Sequence, residues 1–138
     1  VMGHEFCGTV LDCGSRKDLK VGDRITGLPI SPCGKCDACR SGNPQYCAST
    51  WSDAVGLSLT TSGAYAEISS CHGKMVRKLP DTINDEEACM IEPSAVSLHA
   101  IMLADIKIGD KVCVIGGGII GLMSAEFAKM AGASYVAL

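Results

Sequence analysis

Four cysteines fall close together as Cys33-x2-Cys36-x2-Cys39-x7-Cys47. Two-residue gaps let successive thiolates turn onto one ion, and the longer gap lets the chain return to close a tetrahedron. A closed set of four sulfurs leaves no open coordination position, so the spacing predicts a structural zinc site. Metal binding would also order the stretch from Ser31 to Thr50. That stretch carries Pro32, Gly34, Gly42 and Pro44 and has little apolar periodicity of its own. A bacterial iron–sulfur pattern ends in a three-residue gap and a proline, whereas here the last gap is seven and Ala48 follows. A thioredoxin-like redox pair would need only two cysteines at a helix start, which this loop does not offer. Plain disulfides would suit an oxidising compartment. The chain has nine cysteines, and Cys7, Cys13, Cys71, Cys89 and Cys113 lie singly, a pattern that fits a reducing cytosol. Those five read as small buried hydrophobes.

A second group of residues could hold a catalytic metal. Such a site needs a few protein ligands and an open position for water or substrate. His4 and Glu5 are adjacent, and Glu92 is a third candidate, held by Pro93 in a fixed, non-helical position. By itself an adjacent His–Glu pair reads as an ordinary hydrogen-bonded surface pair. Of the other histidines, His72 reads as an exposed turn residue, and His99 as a satisfied packing residue on a helix with Val96 and Leu103.

A third signal is Gly116-Gly117-Gly118-Ile119-Ile120-Gly121, placed after an apolar strand and before a helix. In that context Gly116 permits a tight turn, Gly118 lets the backbone approach a pyrophosphate, and Gly121 allows close helix–strand packing. The helix N-terminus offers unpaired N–H groups to the phosphates. Gly116, Gly118, Ile120 and Gly121 are the expected cofactor-contacting positions. The acid that would separate NAD from NADP belongs about 20 residues beyond the glycines, close to Leu138 where the sequence stops.

The elements that must position these groups divide in character along the chain. Phe6 to Leu11, Arg24 to Ile30, Ala64 to Ile68 and Met75 to Leu79 read as short strands with glycine punctuation, the pattern of a small barrel-like β domain. From Asp81 the pattern is helical. Asn84 and Glu87 form a capping pair leading into Ala88 to Ile91, Glu92-Pro93 interrupts, and Val96, Ala100 and Leu103 resume the helix. Val112 to Ile115 is a buried strand, Ile119 to Met130 a helix closed by Gly132, and Tyr135 to Leu138 a second strand. Strand, glycine turn, helix, strand begins a doubly wound domain.

With 138 residues, 47% of them hydrophobic and a net charge of −3, the composition is that of a globular protein without a nucleic-acid surface. The longest charge-free apolar stretch, Val112 to Ala125, is too short and too glycine-rich for a membrane span. No basic-then-apolar leader is visible. The chain begins at Val1 rather than Met and stops inside an apolar run, so both ends read as cut.

Gly3-His4-Glu5-x-x-Gly8-x-Val10, the cysteine lobe, Gly63-Ala64-Tyr65-Ala66-Glu67, Leu79-Pro80-Asp81 and Gly116-x-Gly118-x-x-Gly121 occur in one order. That order resembles the medium-chain zinc-dependent alcohol dehydrogenase family over nearly the whole chain. The resemblance implies a GroES-like β-barrel domain with a zinc lobe, residues 1–95 with the lobe at 31–50. A linker helix and the first β-α-β of a Rossmann dinucleotide-binding domain follow, residues 96–138. It matches His4 to a catalytic-zinc ligand, and Glu5 to the acidic neighbour that ligates the metal or sits just behind it. Glu92, in Ile91-Glu92-Pro93, matches the third ligand position. Ethanol-type members usually carry cysteine at that place, and the Glu-Pro form resembles the sorbitol, other polyol and threonine branches. The family's first ligand, a cysteine with a Ser or Thr neighbour, lies upstream of His4 and outside this sequence. Cys7 sits in the wrong part of the motif to replace it.

The implied activity is reversible oxidation of a secondary alcohol or polyol with NAD or NADP, by a zinc-dependent, cytoplasmic homo-oligomer (dimer or tetramer). This piece by itself is expected to be inactive. Two other readings compete: a non-catalytic zinc-binding module that mediates subunit contacts, and a zinc-free quinone reductase of the same fold.

Overall fold

The computed structural model describes all residues from Val1 to Leu138, which divide into two compact units, Val1–Cys89 and Met90–Leu138. The first unit is built on three short antiparallel strands, β1 (Cys7–Thr9), β2 (Arg24–Gly27) and β3 (Val76–Lys78), in the order β1-β2-β3. Thr26 is the common register point, facing Cys7 on one side and Arg77 on the other. Its buried hydroxyl donates to the Phe6 carbonyl at 2.8 Å. Val10, Ile25 and Val76 form the core, with Phe6, Cys13, Leu19 and Cys71 packed around them. Asp23 is buried beside this core. Its carboxylate accepts from the Lys78 ammonium at 2.7 Å and the Lys20 N–H at 3.0 Å, and its carbonyl accepts from Val10 N–H. The Lys78 ammonium, then the Lys20 N–H, hold the Asp23 carboxyl below the usual carboxylate range.

All three strands are shorter than their apolar runs suggested, and Ala64 to Ile68 forms no strand. Instead residues 63–65 lie against the start of the chain: Gly63 N–H donates to Val1 O, Ala64 N–H to Gly3 O and Tyr65 N–H to Met2 O. The approach is so close that a Cβ at Gly63 would collide with the Met2 carbonyl. The segment expected to be a strand pairs its backbone only in this short contact.

Four short elements complete the first unit. Helix α1 (Asp37–Arg40) and a 3-10 turn at Pro44–Tyr46 lie in the cysteine-rich segment, and a second 3-10 turn spans Gly73–Met75. Helix α2 (Asp85–Cys89) opens with the expected capping pair, Asn84 N–H to Glu87 Oε2 at 3.0 Å and Glu87 N–H to Asn84 Oδ1 at 2.9 Å.

The second unit starts with α3 (Ile91–Ala104), followed by β4 (Lys111–Cys113), α4 (Ile119–Met130) and β5 (Tyr135–Ala137). Glu92 and Pro93 were expected to break the helix. They lie in the first turn of α3, where backbone N–H groups have no intrahelical acceptor and proline removes nothing. The break falls at Met90 instead. The buried face of α3 is Pro93 and Ser97, not Val96, Ala100 and Leu103, and His99 is exposed rather than packed. Ser97 donates to both Pro93 O and Ile120 O at 3.1 Å, so a small hydroxyl lets α3 and α4 approach closely. Strands β4 and β5 pair in parallel, Val112 opposite Val136, and α4 closes as expected at Gly132. Gly132 N–H donates to Lys129 O and Ala133 N–H to Ala128 O, the paired bonds of a Schellman cap. No helix is long and apolar enough to cross a membrane.

Candidate metal and dinucleotide sites

The cysteine-rich segment winds so that each thiol arrives from a separately fixed piece of backbone. Cys36 precedes α1 and its carbonyl accepts from Arg40 N–H, while Cys39 stands inside that helix. Cys47 follows the Pro44–Tyr46 turn and its N–H donates to Pro44 O. The fully buried Thr50 anchors the base: its hydroxyl donates to Pro44 O, and its carbonyl accepts from Ser31 N–H at 2.9 Å. The result brings the sulfurs of Cys33, Cys36, Cys39 and Cys47 all within 4.8 Å of one another, with Cys33 and Cys39 at 4.0 Å. Ideal tetrahedral zinc–thiolate bonds of about 2.3 Å put sulfurs roughly 3.8 Å apart, so one ion fits with little adjustment. All four are free thiols.

The local electrostatics also suit a cation. Cys47 is 4% exposed, yet its thiol is pulled down to about 5, first by the Cys33 N–H that points at its sulfur from 3.4 Å and then by the Ser49 hydroxyl. Backbone N–H groups of Lys35 and Cys36 lower Cys33 as well. Desolvation, above all, pushes Cys39 up to about 12. Hydrogen bonds thus ease Cys47 and Cys33 toward the thiolate that a cation needs, while desolvation holds Cys39 back.

His4 and Glu5 follow Gly3, whose carbonyl is tied to Ala64 N–H. The Gly63 contact therefore fixes the segment that carries both side chains, a role the sequence reading did not assign to that glycine. Cys7 lies against Cys89 and the Asp85 carbonyl. Burial first, then the neighbouring Cys89 thiol at 3.8 Å, pushes it up to about 11, and it donates to the Asp85 carbonyl. His72 is half-buried rather than exposed, and its Nδ1 has no hydrogen-bond partner. Among the isolated cysteines Cys113 is exposed, contrary to expectation, and the other four are half-buried.

In the second unit the chain leaves β4, turns through Gly116 to Gly118 and enters α4. Gly118 is the N-cap in an extended conformation, and no side chain caps the helix. The first N–H groups of α4 therefore lack protein acceptors from a capping side chain, and the Cβ directions of Gly116, Gly117 and Gly118 meet open space. A Cβ at Gly121 would instead strike the Gly116 carbonyl, so the turn and the helix can close only over glycine. The hollow there, about 560 Å³, is lined by Val114, Ile115, Gly118, Ile119, Gly121 and Ser124.

Residues 1–81 match the model of the alcohol dehydrogenase GroES-like domain. The chain belongs to this alcohol dehydrogenase family. It is 36% identical to the sorbitol dehydrogenase of Bombyx mori and 36% identical to the L-threonine 3-dehydrogenase of Pseudoalteromonas translucida (strain TAC 125). Each alignment covers 100% of this chain and 39% of the relative, so the chain spans 39% of the length of these curated relatives. Among solved structures it is similar to a protein of Sinorhizobium meliloti 1021, regarded as a zinc-binding dehydrogenase and solved with NADP bound. The TM-score is 0.87 and the identity 38%, over 98% of this chain and 39% of that one. The matched residues lie within the first unit, and β4-α4-β5 has the parallel strand-helix-strand order with which a doubly wound sheet begins. Glu92 stands in the first turn of α3, half-buried, in the second unit.

Proposed function

We propose that the full-length protein oxidises a secondary alcohol, with polyols and 3-hydroxy amino acids as the favoured class, using NAD or NADP as hydride acceptor. The observation that carries the reading is the glycine turn. An uncapped helix N-terminus faces open space over Gly118, in a chain of the alcohol dehydrogenase family. The N–H groups around Gly118 and Ile120 would bind the pyrophosphate, with Gly116 and Gly121 fixing the turn that presents them. The Glu92-Pro93 pair and the sorbitol and threonine dehydrogenase relatives support the polyol-like class.

Two zinc positions complete the proposal. Cys33, Cys36, Cys39 and Cys47 would hold a structural ion, consistent with their converging sulfurs. His4, Glu5 and Glu92 are the proposed protein ligands, or near neighbours, of a catalytic ion, which when bound supplies Lewis acidity toward the substrate oxygen. The chain's own part there is to fix His4 and Glu5 through the Gly3–Ala64 backbone bond and to hold the Glu92 carboxylate at a helix start. Four converging thiols weigh against a zinc-free quinone reductase. The proposed setting is a cytoplasmic homo-oligomer, with exposed Tyr46 and Trp51 beside the lobe as candidate subunit contacts. The 138-residue chain alone is proposed to be inactive, since its parallel sheet has only β4 and β5.

The test is an assay of the full-length protein against sorbitol, threonine and simple secondary alcohols with each dinucleotide. Gly121→Val should abolish dinucleotide binding while the four-cysteine lobe stays loaded. Undiminished binding by that variant would remove the glycine turn from the site.

A further inference from the structure

Four thiolates around one divalent ion carry two surplus negative charges, and a stable site needs them answered. Between Ser31 and Thr50 the charged side chains are Lys35, Asp37 and Arg40. Asp37 and Arg40 are spent on each other, paired at 2.6 Å. That leaves Lys35 as the lobe's own free cation, one short of balance. The missing charge is at hand from elsewhere in the first unit. Lys74, in the 3-10 turn Gly73–Met75, places its ammonium over Gly34, 3.5 Å from where a Cβ on that glycine would stand. Gly34 lies between Cys33 and Cys36 and has φ +74°, a conformation that side-chain-bearing residues rarely adopt. The lobe is thus open to the lysine head at the place where the first two ligands turn. None of the chain's ion pairs uses Lys74, so no carboxylate accounts for its position.

We infer that Lys74 is the outer cation of the four-cysteine site, balancing its charge and tying the lobe to the Gly73–Met75 turn. This rests on the reading of the lobe as a zinc site. Loss of a group hydrogen-bonded to a metal ligand typically costs about 10- to 100-fold in affinity, and Lys74, acting through its charge, belongs at the lower end of that range.

The experiment is zinc transfer from the purified chain to a chelator in excess, timed for wild type, Lys74→Met and Lys74→Arg at low salt and at about 1 M salt. Circular dichroism checks that each variant is folded. Lys74→Met should lose zinc about tenfold faster at low salt, Lys74→Arg should match wild type, and high salt should narrow the gap by screening. Equal rates for Lys74→Met and wild type overturn the inference while leaving the zinc reading intact. So does a Lys74→Arg variant as leaky as Lys74→Met, or a gap that salt leaves unchanged. A wild-type chain that carries no zinc overturns both.

Discussion

Cys47 shows how a single side chain can be prepared for a metal before the metal arrives. A thiol held at about 5 in the folded chain, by the Cys33 N–H and the Ser49 hydroxyl, favours folding in its ionised form. The sign follows from the depressed value. The stabilisation is fully present above the unfolded thiol value of about 8.5 and is lost as pH falls through about 5. Thermal melts of wild type and Cys47→Ser should therefore converge as pH drops from about 8.5 to about 4.5. A gap that widens on acidification would contradict the assignment. Cys36→Ser should loosen residues 31–50 in hydrogen exchange while leaving β1-β2-β3 protected, because the core of Val10, Ile25 and Val76 owes nothing to the lobe. In the full-length protein Glu92→Gln should keep the fold and cut turnover. Unchanged kinetics across a polyol series would leave Glu92 as a helix-start residue only.

Short elements here are held by end-chemistry as much as by propensity. Helix α2 has five residues, too few to be stable alone, and depends on the reciprocal bonds between Asn84 and Glu87. Asn84→Ala should destabilise the first unit by about 1 kcal/mol in a denaturant melt, with no effect on zinc content. That pair was legible in the sequence because capping is local, as were the Gly132 close of α4 and the cysteine spacing. What was not legible depends on contacts distant in the chain. Ala64 to Ile68 has the composition of a strand, yet only Ala64 and Tyr65 bond there, to Gly3 and Met2, and the pairing goes no further. Glu92-Pro93 looked like a break because proline restrains the residue before it, but a first helical turn tolerates that restraint. Val96, Ala100 and Leu103 have helical spacing, yet α3 turns Pro93 and Ser97 inward. Close approach to α4 selects small side chains over large ones.

At the scale of the whole molecule, one chain joins a lobe competent for a closed metal site to a glycine turn competent for a dinucleotide. Neither feature alone specifies a reaction. The chain belongs to the alcohol dehydrogenase family, in which only the second of them could take part in a reaction, and Ile115, Ile119 and Leu122 leave exposed apolar surface on the second unit. The most direct test of alcohol oxidation is to incubate zinc-loaded full-length protein with a panel of secondary alcohols and polyols plus NAD⁺ or NADP⁺, and to follow the appearance of reduced nicotinamide. The account predicts turnover with at least one such substrate, abolished by chelation and restored by zinc. A folded, zinc-loaded protein that reduces neither dinucleotide with any of them, or that turns over equally well without metal, would contradict it.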